Sequence, residues 1–140
     1  MWHTIIIVGN LGKDPEMRYT PSGKAVTSFN VASSRQYTGG NGQVVKETCW
    51  FRVSVWDKQA ETCNQYLKKG SKVLVEGHLT PDLNSGGPKT YTRKDGSAGA
   101  SYDVSAMTVK FMSSRTESSG EPGSMGDEVP SAGGEDEIPF

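Results

Sequence analysis

The sequence predicts an all-β fold: a five-stranded barrel with one short helix between its third and fourth strands, followed by a disordered acidic tail. Three observations lead there. Short runs rich in Val, Ile, Thr and aromatic residues alternate apolar with polar positions between Gly, Pro and Asn-Gly breaks, the pattern of half-buried strands. One segment, residues 57–69, repeats its apolar positions with helical spacing. Charge then divides the chain: all 15 Lys and Arg lie between Lys13 and Arg115, whereas the last 25 residues hold seven acids and no base.

Residues 4–11 read as the first strand, stopped by the turn Gly12-Lys13-Asp14-Pro15, with a short extended piece at 16–20. After Pro21-Ser22-Gly23, residues 25–34 alternate, Phe29 and Val31 on one face and Ser28 and Asn30 on the other. Gly39-Gly40-Asn41-Gly42 forms a hairpin tip, because Asn-Gly tolerates the positive φ such turns require. Residues 44–56 are the longest strand. In the helix that follows, Asp57 is the expected cap, Ala60, Cys63, Tyr66 and Leu67 the apolar stripe, Lys68 and Lys69 the dipole-matched end and Gly70 the stop. Val73, Val75, Gly77 and Leu79 alternate as the fourth strand, residues 80–99 form a long Gly- and Pro-containing excursion, and residues 101–112 return as the last strand. Five strands with the helix after the third is the layout of an OB-fold, whose open face and loops bind oligonucleotides.

The long strand has two unlike faces. Val45, Cys49, Phe51, Val53 and Val55 point one way, with Glu47 the one polar member; Lys46, Thr48, Trp50, Arg52, Ser54 and Trp56 point the other. Two indoles beside two cations do not make a core face; they suit either a protein interface or unpaired nucleic acid, whose phosphates need cations and whose bases need flat side chains. Residues 1–115 hold nine acids against the 15 bases, a formal +6, which favours the polyanion. Tyr37 at the hairpin and Tyr91 in the excursion extend the aromatic set, and the candidate phosphate partners are Lys13, Arg18, Lys24, Arg35, Lys46, Arg52, Lys58, Lys72, Lys89, Arg93 and Lys94. Tyr19 and Tyr66 are expected in the core.

Other chemistries find little support. Gly9-Asn10-Leu11-Gly12-Lys13-Asp14 lacks both the spacing and the Ser or Thr of a phosphate loop. Cys49, Cys63, His3 and His78 have no zinc spacing, and the acids of the basic body are scattered, so the reading is a non-enzyme without metal or cofactor. The aliphatic run Ile5-Ile6-Ile7-Val8 is too short for a signal or membrane segment, which points to a cytoplasmic protein without a membrane partner. Within residues 116–140, Gly, Pro and Ser supply 12 of 25 positions, too few apolar groups to offset ordering entropy, so this −7 segment is expected to be disordered. Its apolar tip makes it a docking peptide.

These residues resemble the bacterial single-stranded DNA-binding protein family. The runs that carry the likeness are Ile7-Val8-Gly9-Asn10-Leu11-Gly12-Lys13-Asp14-Pro15-Glu16-Met17-Arg18-Tyr19, Trp50-Phe51-Arg52-Val53, Tyr66-Leu67-Lys68-Lys69-Gly70-Ser71-Lys72-Val73 and the tip Asp136-Glu137-Ile138-Pro139-Phe140. The resemblance implies an OB-fold homotetramer over residues 1–115 that wraps DNA strands. Tyr37, Trp50 and Trp56 map to its stacking aromatics, and Arg18 and Arg52 to its basic DNA path. It implies a coat for single-stranded DNA in replication, recombination and repair, and recruitment of the enzymes of those processes by Glu135, Asp136, Glu137, Ile138, Pro139 and Phe140. Many members carry another Trp in the hairpin after the fourth strand; here Pro81-Asp82-Leu83-Asn84 stands there, and Tyr91, flanked by Lys89 and Arg93, is the expected substitute.

Overall fold

The computed structural model describes residues 2–112. Its strands are β1 (Ile5–Leu11), β2 (Glu16–Tyr19), β3 (Ala25–Thr38), β4 (Val44–Trp56), β5 (Lys72–Leu79), β6 (Lys89–Thr92) and β7 (Ala98–Phe111), with one helix, α1 (Asp57–Tyr66), between β4 and β5. Five of these strands close a barrel in the order β1-β5-β7-β4-β3, and β3 returns to β1. The predicted OB-fold is therefore present, with the helix after the third barrel strand.

Closure depends on a glycine. Strand β1 pairs with β5 from Ile5 to Asn10, and just past Gly9 it also meets β3, Asn10 opposite Ala32 and Leu11 opposite Val31. A Cβ at Gly9 would collide with the Ala32 carbonyl, so only glycine permits the crossing. β4 and β7 form the single parallel pairing among the described strands, Phe51 beside Tyr102 through Ser54 beside Ser105. The interior is filled by Ile7, Leu11, Phe29, Val31, Val53, Val55, Val73, Val75 and Val104. Each such buried side chain stabilises the fold by ~1.5–3 kcal/mol.

The helix packs on the barrel through Ala60 and Cys63, with Leu67 buried just past its end, and the buried Thr27 hydroxyl donates to the Ala60 carbonyl at 2.6 Å. Burial raises the Cys63 thiol to about 11. Several helix details differ from expectation. α1 ends at Tyr66, because Leu67 is already extended (φ −88°, ψ 146°), so Lys68 and Lys69 belong to the following turn. Asp57 does not cap the helix: β4 runs into α1 with no linker, the N-cap position falls on Trp56, and Asp57 itself takes φ +58° to turn the chain. Tyr66 and Tyr19 are exposed, and Tyr66 packs its ring 6.3 Å from Phe111 at the surface.

Two ribbons leave the barrel. β3 and β4 stay paired from Val26 opposite Trp56 out to Thr38 opposite Val44, four residues further along β3 than the alternation suggests. The excursion 80–99 is not all loop: β6 pairs with residues 98–101 of β7, joined by a turn in which Gly96 takes φ +85°.

Candidate nucleic-acid interface

Register places the solvent-facing side chains of β4 in rows across the sheet. Trp56 stands opposite Val26, which in turn stands opposite Arg18; Ser54 stands opposite Ser28, Arg52 opposite Asn30 and Trp50 opposite Ala32. On its other side Arg52 is matched with Asp103 of β7. The strand pleat thus assigns Trp50, Arg52 and Trp56 to one face, with the two indoles about 20 Å apart along the strand.

Beside Trp50 the wall of the barrel opens into a cleft of about 360 Å3, lined by Lys13, Glu16, Asn30, Trp50, Arg52 and Tyr91, among others. Two glycines position its rings. A Cβ at Gly12 would come 2.5 Å from the Trp50 six-membered ring, and one at Gly99 would come 2.6 Å from the Tyr91 ring; each aromatic lies on bare backbone. Trp50 and Tyr91 are nonetheless 52% and 50% exposed, so each keeps much of its surface available to a ligand. Arg93 lies over the Tyr91 ring at 5.8 Å and donates to the Ala98 carbonyl at 2.9 Å, so the ribbon turn presents a cation with its aromatic.

The cations differ in how they are engaged. Lys13 pairs with Glu16 at 3.4 Å on the cleft rim, and Lys89 pairs with Asp103 at 3.3 Å. Arg35 donates to Glu47 at 2.7 Å and lies over Tyr37. Arg52, Lys46 and Arg18 make no ion pair with the described residues. Lys46 is opposite Gln36, on the Trp50 face of the β3–β4 ribbon. Lys24 and Lys58 lie two residues from Val26 and Trp56 along the chain, near the Trp56 end of the face; Lys72 opens β5 opposite Asn10, and Lys94 sits in the β6–β7 turn.

Tyr37 is not brought together with Trp50. It is matched with Val45, which puts it on the opposite face of the ribbon with Arg35 and Glu47. There the Arg35 guanidinium, followed by the Tyr37 hydroxyl, holds the Glu47 carboxyl below its ordinary value, and Glu47 raises both partners. Sequence reasoning also passed over Gly12, Gly99, Glu16 and Asp103. An acid carries no signal of its own in a basic site, and the role of each glycine shows only when a ring is laid on it. The docking tip, Glu135 to Phe140, lies outside the described residues.

Among the described residues no cluster of His, Cys, Asp or Glu could hold a metal ion, and no helix is long and apolar enough to cross a membrane.

Known proteins share this fold and much of this sequence. Residues 2–112 match the Single-strand binding protein family. The single-stranded DNA-binding protein of Neisseria meningitidis serogroup A is 40% identical over 116 residues, 83% of this chain and 63% of that protein, so the chain spans less than two thirds of that relative. Single-stranded DNA-binding protein 1 of Chlorobaculum tepidum is 35% identical, with 97% of this chain and 96% of that protein covered. Among solved structures, a deletion mutant of the single-stranded DNA binding protein from Thermus aquaticus superposes with a TM-score of 0.60 at 29% identity, over 80% of this chain and 51% of that one. The small single-stranded DNA-binding protein from Streptomyces coelicolor gives 0.64 at 23% identity, over 79% of this chain and 94% of that one, a likeness of fold. With the barrel, the aromatic cleft and a match that spans every described residue, the chain belongs to the single-strand binding protein family.

Proposed function

We propose that this protein binds and protects single-stranded DNA with little regard to sequence, as a non-enzymatic coat in replication, recombination and repair. The observation that carries the reading is the cleft in which half-exposed Trp50 and Tyr91 rings share a wall with Lys13 and Arg52. Aromatic faces accept any base, and cations along the same strand face accept the backbone, so affinity arises without base-edge readout. Because an unpaired strand fits and a duplex does not, binding draws weak hairpins open by mass action.

The decisive measurement is titration of the full chain with poly(dT), followed by tryptophan fluorescence. Trp50→Ala should lose about 1–3 kcal/mol of binding, the range general to stacking on OB-fold single-strand binders, with the melting curve little changed. Trp56→Ala should lose an amount in the same range. Unchanged affinity in both variants would reject the stacking face.

Further proposals concern assembly and partners. Residues 1–115 act as the binding and oligomerisation unit of a homotetramer in the cytoplasm, and residues 116–140 act as a tail whose tip enters a small apolar pocket with a basic rim on repair, recombination and replication proteins. The acids Glu135, Asp136 and Glu137 beside the apolar Ile138, Pro139 and Phe140 support docking on a pocket with a basic rim. Deleting Phe140 should abolish partner capture while poly(dT) affinity holds; capture that persists counts against the docking role.

A further inference from the structure

The acid Asp103 stands in register with Arg52 beside the binding face, where electrostatics alone would make it a liability. Its surroundings give it a task. β7 makes its barrel pairings with β4 from Tyr102 onward and with β5 from Val104 onward, whereas residues 98–101 pair with β6 and nothing else. All four β6 residues are exposed, so no core contact fixes where this ribbon stands relative to the barrel. Asp103 lies at the root of the ribbon. One carboxylate oxygen accepts the Ser101 hydroxyl at 2.7 Å and the other pairs with Lys89 at 3.3 Å, with the Asp103 side chain only 13% exposed. Lys89 and Ser101 are themselves partners across β6 and β7, and the Asp103 carbonyl accepts the Thr80 amide at 2.8 Å, where the excursion leaves β5. A single residue thus ties both ends of the 80–88 loop and the first rung of the ribbon that carries Tyr91.

We propose that Asp103 is a positioning residue for single-stranded DNA: it latches the β6–β7 ribbon at its root and thereby holds Tyr91 on the cleft that contains Trp50. The inference rests on the reading of this cleft as a DNA site, and it predicts a sign opposite to simple charge. Removing an acid from a polyanion site tightens binding if charge is all that matters. Removing a latch weakens it.

The test uses the full-length protein with Asp103→Asn, and Ser101→Ala as a milder variant that leaves the charge in place. The first readout needs no DNA: trypsin cleavage after Arg93 or Lys94, followed by mass spectrometry, should be faster in Asp103→Asn and, to a smaller degree, in Ser101→Ala. The second is poly(dT) affinity alone and with Tyr91→Ala. Asp103→Asn should bind about threefold to tenfold more weakly when Tyr91 is present, the scale of one partly buried ion pair and one hydrogen bond, and should have little effect once Tyr91 is gone. If Asp103→Asn does not fold, Ser101→Ala decides by the same two readouts. Unchanged ribbon cleavage, tighter DNA binding, or effects that simply add to Tyr91→Ala would each overturn the latch. A wild-type protein that ignores poly(dT) would sink the functional reading and leave the cleavage result to decide the latch.

Discussion

The two halves of β4 follow one alternation and meet opposite fates. From Phe51 to Ser54 the strand lies between β3 and β7, and Val53 and the following Val55 are fully enclosed; from Val44 to Trp50 it has β3 alone, and Cys49 and Glu47, which continue the same face, are exposed. Periodicity says which side chains share a face. Whether that face is covered depends on a third element that the strand's own sequence does not encode. The cleft forms where the cover ends, because an aromatic at that border can rest on backbone on one side and stay open on the other.

Paired substitutions across this border sharpen the contrast. The largest effect belongs to the enclosed half: Phe29→Ala, opposite Val53, should cost about 3–5 kcal/mol in chemical denaturation. Val45→Ala on the ribbon should fall within about 0.5 kcal/mol, since that side chain is half-buried at most. Equal losses would mean that the ribbon is packed against something in solution. A smaller effect separates the ribbon's two faces. Arg52→Ala should weaken poly(dT) binding and lower its salt slope by about one unit, whereas Arg35→Ala, whose charge is already engaged by Glu47, should change the slope much less. Identical slopes would dissolve the distinction between engaged and available cations.

The smallest effect is a pH dependence. Glu47 is held below its ordinary value by Arg35 and Tyr37, so its contribution is present above the unfolded carboxylate range and fades as pH falls through the lower folded value. Wild type should therefore exceed Glu47→Gln slightly in stability at neutral pH and converge with it in acid. Because the pair lies at the surface, the difference is small and shrinks with salt. A gap that widens in acid contradicts the assignment.

Much of this architecture was legible in the residues. β4 has the span its alternation indicates, Val44–Trp56, and the Gly39–Gly42 tip turns the chain where Asn-Gly allows it, with Gly42 at φ +77°. The helix ran short because its stripe continues through Leu67 while the backbone does not; periodicity cannot register that the chain must turn into β5. β6 hides inside the excursion because Gly87-Pro88 and Gly99 bracket it, yet Thr90-Tyr91-Thr92 before Asp95-Gly96 is a β-prone run facing a hairpin signal. In the candidate site, parity placed Trp50, Arg52 and Trp56 together. It also fixed Tyr37 on the far side, a consequence that is visible only once the register across the hairpin is known. The role of Asp103 is not legible in the residues, since Lys89, its ionic partner, reaches it only through the pairing of β6 with β7.

The barrel is sealed along β1 and β3 by just two residue pairs, Asn10 with Ala32 and Leu11 with Val31, reinforced by the Gly12 amide on the Asn30 carbonyl at 3.1 Å. Every other junction between barrel strands is longer. With so few pairings this seam should open more readily than the others, and Ala32 and Gly12, its edge residues, are the neighbours of the Trp50 indole. A ligand seated on Trp50 should therefore also brace the seam, slowing amide exchange at Leu11 and Gly12 more than at the far side of the cylinder.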